Sequence, residues 1–164
     1  MSITEEQKDS LLREVNRLHE RQELSKAVGE DYFEPGMMEY LDKSDGMFDP
    51  SNNAIMLRFE VMGTRYEGRT ELIERVKLGD TVLVERDPEN KFNCNNFTFT
   101  SSKGRNLGNM PASLCNALAP MYDEGNIKIE RAFVSYVEPL SKRNRHAKKS
   151  VLFVELHLNL INIL

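Results

Sequence analysis

The apolar residues of this chain change period near residue 53, and no other feature constrains the fold as much. Upstream, Leu11, Val15 and Leu18 recur at helical spacing, and Leu12, Leu24 and Val28 widen the stripe. From Ala54 the period drops to two. Ile55, Leu57, Phe59 and Val61 alternate with Met56, Arg58 and Glu60, as one face of a strand requires. The chain has 164 residues, the length of one domain or of one domain with an extension. The expected division is therefore an acidic helical extension over 1–53 and a β domain over 54–164.

The extension begins with a helix over Glu5 to Val28. Thr4 caps it, and Gln7 completes a capping box. Glu5, Glu6 and Asp9 suit the positive end of the helix dipole, and Gly29 stops the helix. Residues 30–53 read as irregular, with a short helix from Pro35-Gly36 through Met37, Met38, Tyr40 and Leu41. Asp49 to Asn53 is a turn cluster. Beyond it, strands are expected over 54–62, 81–85, 96–100, 106–109, 127–137 and 151–163. Glu71 to Val76 is a short helical or loop insertion. A helix opens at Pro111, buries Leu114, Leu118 and Met121, is kinked or divided by Pro120, and stops at Gly125. About six short strands and one late helix make the domain mainly β, a small barrel or sandwich. The apolar terminal strand needs a partner, which makes a homodimer or a protein-interaction module the rival reading.

Net charge is −4, but it is unevenly placed: residues 1–54 carry −7 and residues 55–164 carry +3. The second part suits a polyanion, and the first would repel one. No apolar run reaches 18 residues, so no membrane helix is expected, and the polar N-terminus is unlike a signal peptide. Cys94 and Cys115 lie 21 positions apart with no Cys-x-x-Cys, which fits free thiols in a reducing cytoplasm and no zinc site. His19, His146 and His157 fall in no catalytic motif. Neither catalysis nor a cofactor is expected.

Three clusters have the chemistry of a binding site. Arg65-Tyr66, at the end of the first strand, offers a phosphate fork beside a ring that can take a base; it also fits an ordinary amphipathic strand end. The segment Asp87 to Asn96 packs Asn90, Asn93, Asn95 and Asn96 around Phe92. Its amides suit base edges or sugar hydroxyls, and equally the Asx turns that Asn favours. Lys142, Arg143, Arg145, Lys148 and Lys149 place five cations within eight residues. They read as an arm that neutralises a phosphate backbone, or as a solvated hairpin tip.

Together these elements resemble the HIRAN domain. The matching text is Val61-Met62-Gly63-Thr64-Arg65-Tyr66, then Gly79 to Asn93, then Gly104-Arg105-Asn106-Leu107-Gly108-Asn109-Met110-Pro111, and then Leu118 to Gly125. The order and spacing of several motifs match across residues 55–158, and the first 54 residues lie outside. HIRAN domains are OB-like β-barrels, found on helicase-like chromatin and repair ATPases and as stand-alone proteins of bacteria and phages. In the DNA-binding member the domain holds single-stranded DNA and captures its 3′ end.

By that resemblance, Arg65 and Tyr66 hold phosphate and stack a base, and Asn90 is the loop amide. Phe92 stands for a stacking Tyr without its hydroxyl. Asn93 replaces the Asp that accepts from the terminal hydroxyl, so the bond loses its charge. Asn109 replaces a His that contacts phosphate.

The expected protein is thus a non-enzymatic, cytoplasmic module that binds single-stranded DNA or DNA 3′ ends, with no membrane partner. A helicase or repair protein is the expected neighbour. The acidic extension is expected to lie over the basic face and compete with DNA.

Overall fold

The computed structural model describes residues 2–28 and 40–162. Helix α1 spans Glu5–Val28. Its capping box forms as read: the Gln7 amide N–H donates to Thr4 Oγ1, and the Thr4 N–H donates to Gln7 Oε1, each at 3.1 Å. Leu11, Val15 and Leu18 are all buried. The Gly29 stop and the short helix through Met37 and Met38 fall outside the described residues. Leu41–Lys43 forms a single 3-10 turn.

Among the described residues seven strands follow, in two antiparallel sheets. The first joins β1 (Asp45–Asp49), β2 (Ala54–Glu60), β6 (Ile127–Glu138) and β7 (Val151–Leu160) in the order β1-β2-β7-β6. The second joins β3 (Val82–Arg86), β4 (Phe97–Ser101) and β5 (Asn106–Asn109) in sequence order. A short helix α2 (Arg69–Ile73) follows β2, and α3 (Ala112–Asp123) links the second sheet to β6. Ile55, Leu57 and Phe59 alternate inward from β2, opposite Leu158, Leu156 and Val154 of β7. Phe59 meets Phe99 of the second sheet at 5.6 Å between ring centroids, so the core lies between the sheets.

The architecture departs from the expected barrel of six strands. The two sheets do not form one continuous ladder among the described residues. They touch through two isolated bridges, Met62 to Asn109 and Thr81 to Phe133. Strand length explains this: β6 and β7 run 12 and 10 residues, while β3, β4 and β5 run 5, 5 and 4. The short strands end before a ladder can continue around the core. Even the single contact at Met62 needs a glycine opposite. A Cβ on Gly108 would sit 2.6 Å from the Met62 carbonyl oxygen, and φ there is +149°.

Three further expectations change. Residues 45–49, read as irregular, form β1 and pair with β2 from Asp45↔Arg58 to Asp49↔Ala54. The turn at residue 53 thus lies inside a hairpin. Pro120 sits within the last turn of α3 and does not divide it. The apolar last strand is not an edge: β7 lies between β2 and β6, so its pairing need is met within the chain. Its residues 151–156 are buried on both faces, with Phe153 covered by Tyr40 and Tyr136 at 6.4 and 6.3 Å.

Candidate nucleic-acid interface

The chain leaves the first sheet at Val61, whose N–H donates to the Leu152 carbonyl at 2.8 Å. Met62 then exchanges both backbone hydrogen bonds with Asn109, at 2.8 and 2.9 Å. Gly63, at φ +74°, turns the chain out of the ladder. Two side chains fix that turn. The buried Thr64 hydroxyl donates to the Ser150 carbonyl at 2.9 Å, and Arg69 Nη1 donates to the Gly63 carbonyl at 2.9 Å. Arg69 is itself buried, and its Nη2 reaches Glu67 at 3.1 Å. With Thr64 anchored inward, Arg65 and Tyr66 are left for solvent. Tyr66 is 56% exposed, and the Arg65 guanidinium lies over its ring, 5.2 Å from the centroid.

The basic loop is folded and no free arm. The Leu140 N–H donates to Ser150 Oγ at 2.9 Å, and Ser141 binds Glu74 through its N–H and hydroxyl at 3.0 and 2.6 Å. The Ser141 hydroxyl, helped by its N–H, holds the Glu74 carboxyl below the ordinary range. Arg143 donates to the Lys149 carbonyl at 2.6 Å and pairs with Glu138 at 3.4 Å. Lys149 pairs with Glu60 of β2 at 3.0 Å. Ser150 thus receives the Arg65-Tyr66 turn at its carbonyl and the basic loop at its hydroxyl.

The two segments wall one groove of about 960 Å³. Arg65 and Tyr66 line it, together with Arg143, Lys148 and Lys149. Lys142 and Arg145 belong to the same loop but do not line the groove. Arg21 and Leu24 of α1 do, and sequence reasoning missed both because it assigned α1 to a separate extension. Among the described lining residues five are cations and one, Glu60, is an acid. Such a groove attracts a polyanion whatever the charge of the whole chain.

The amide-rich segment forms a separate structured loop. Arg86 anchors it with a two-pronged pair on Asp123 at 3.0 and 2.9 Å, and donates to the carbonyls of Cys94 and Asn96. That hydrogen bonding raises the pKa of Arg86 and lowers that of Asp123. Asn90 Oδ1 accepts from the N–H groups of Phe92 and Asn93, both at 3.0 Å. Asn93 Oδ1 accepts from the Asn95 N–H at 2.9 Å. The Nδ2 groups of Asn93 and Asn95 both donate to Asn116 Oδ1 on α3, at 3.1 and 3.2 Å. Buried Asn96 bridges Asp87 and Asn109 at 3.1 and 3.0 Å. These amides therefore serve the Asx-turn role: they build the loop. What the loop presents is Phe92, 95% exposed. Neither the loop nor Asn109 lines the groove, but the Met62 to Asn109 bridge joins the two regions.

The two thiols are 94 and 115. Cys94 is exposed; Cys115 is buried, and burial pushes its pKa up to about 11. No helix among the described residues is long and apolar enough to cross a membrane.

A family model described as the HIRAN domain matches residues 55–153, more than half of the chain and all of the span from β2 into β7. The crystal structure of the HIRAN domain of human HLTF is similar at 23% identity, covering 63% of this chain and 76% of that one, with a TM-score of 0.46. A crystal structure of a protein from Lactobacillus plantarum is similar at 18% identity, covering 63% of this chain and 95% of that one, with a TM-score of 0.49. The NMR structure of the HLTF HIRAN domain in its DNA-bound conformation shares 22% identity over 76% of this chain and 85% of that one, with a TM-score of 0.43. No curated protein matches. On the match to more than half its length, the chain belongs to the HIRAN domain family.

Proposed function

We propose that the protein is a binding module for single-stranded DNA and that the strand lies in the groove between the Arg65-Tyr66 turn and the basic loop. One observation carries this reading. Two segments about 80 residues apart in sequence bring Arg65, Tyr66, Arg143, Lys148 and Lys149 to one cleft with a single acid among its described lining residues. A ring beside a row of cations is the arrangement a flexible polyanion with stacking faces requires. Membership of a DNA-binding family supports it. Tyr66 stacks a base, and Arg65 and Lys148 take phosphates. Phe92, on the adjoining loop, supplies a second stacking face further along the strand.

Recognition of a free 3′ end is the weaker part of the family pattern here. Asn93 would have to accept the terminal hydroxyl, but its Oδ1 already accepts the Asn95 N–H and it carries no charge. The reading is a module without catalysis that works beside a helicase or repair enzyme.

Tyr66→Ala tests the site directly. Stacking contributes about 1–3 kcal/mol per base, so the variant should weaken single-strand binding roughly tenfold in a fluorescence titration. Its melting temperature should not move, because the ring is half exposed and lies outside the core, under the exposed Arg65. An unchanged titration removes Tyr66 from the site.

A further inference from the structure

The N-terminal helix, which lies outside the family match, is the part of the groove no family pattern describes. We infer that α1 is a fixed wall of the nucleic-acid groove and that Arg21 is a phosphate-contacting residue. This rests on the reading of the groove given above and extends it beyond residues 55–153.

The helix is held in four ways. Leu11, Val15 and Leu18 bury their side chains in the common core. Gly46 of β1 lets the helix approach so closely that a Cβ there would lie 2.3 Å from the Val15 carbonyl oxygen. One residue from Arg21, the Gln22 amide donates to the carbonyls of Asp42 and Ser44, at 2.7 and 3.2 Å. His19, two residues before Arg21, meets Asp45 at 3.0 Å. These contacts fix the C-terminal half of α1 beside the cleft, where Arg21 and Leu24 line it opposite no acid of their own helix. Arg21 makes no ion pair or hydrogen bond among the described residues, whereas Arg17, one turn earlier, is engaged by Glu14 and Ser113. An exposed, unpaired guanidinium held at the rim of a cationic cleft is suited to a phosphate.

The consequence reverses the expected role of the extension. The helix is acidic overall, yet the charged residue it turns to the groove is a cation. Within α1, the extension adds to binding where the sequence suggested competition.

The test is titration of labelled single-stranded DNA at two salt concentrations with wild type, Arg21→Ala, Arg21→Glu, Tyr66→Ala and Lys103→Glu. Lys103 is exposed in the turn between β4 and β5 and lies off the groove, so it controls for total charge. Arg21→Ala should weaken binding severalfold and reduce the slope of log K against log salt by about 0.7, the loss of one single-strand phosphate contact. Arg21→Glu should weaken it at least tenfold, and Lys103→Glu by less than about twofold. Equal effects at Arg21 and Lys103 would overturn the inference in favour of bulk charge. A clear loss for Tyr66→Ala with none for either Arg21 variant would overturn it while leaving the groove in place. A folded wild type that binds no single strand would overturn the groove and this inference together.

Discussion

Arg58, Glu155 and His157 show how far one residue can be read from its neighbours in sequence. They alternate with the core side chains on β2 and β7, so a polar outer face was legible. Their mutual contacts were not, because they depend on the cross-strand register Arg58↔Glu155. Glu155 accepts from Arg58 at 2.6 Å and meets His157 at 2.5 Å. Burial pushes its carboxyl up, but the bonds from His157 and Arg58 outweigh this and hold it below the ordinary 4.5. A carboxylate with a lowered folded-state pKa binds fewer protons than in the unfolded chain. Its stabilisation is complete above the ordinary value and is lost as pH falls through the lowered one. Glu155→Gln should therefore flatten the fall in melting temperature as pH drops below the ordinary 4.5. Parallel acid limbs for the two proteins would contradict this. Among the amides the same lesson runs the other way: four Asn around one Phe suggested base contacts, and three-dimensional structure employs them as loop scaffolding.

Elements with strong local signals were read almost to the residue. The capping box at Thr4 and the period of Leu11, Val15 and Leu18 bound α1, and alternation bounds β2. The miss was β1, whose residues Asp45-Gly46-Met47-Phe48-Asp49 lack alternation and carry turn formers. Its strand state comes from pairing with β2 on one side and from α1 lying against it. Gly46 reads locally as a breaker but serves as a contact point between helix and sheet. Gly46→Ala should force α1 and β1 apart, because the nearest obstacle is the Val15 backbone and cannot rotate away. A loss of roughly 1–3 kcal/mol is expected in urea unfolding, the usual cost of overpacking. A wild-type unfolding midpoint would show that α1 does not sit tightly on β1.

At the scale of the molecule, the sequence motifs sort into places that spacing alone does not reveal. Arg65-Tyr66 and the basic loop are joined because Ser150 receives both, through its carbonyl and its hydroxyl. The amide loop is held apart by Arg86 on Asp123. The overall charge of −4 conceals a cleft whose described lining residues include five cations and one acid, since charge counts along a chain ignore which side chains share a surface. The central claim is that this cleft takes a single strand, and the most direct measurement is a titration with labelled single-stranded DNA ending in a 3′-hydroxyl or a 3′-phosphate, each at two salt concentrations. The expected result is binding that weakens steeply with salt and differs between the two strands by less than about threefold, because phosphates and base faces carry the contact and Asn93 is occupied. A folded protein that binds neither strand at low salt would contradict the account.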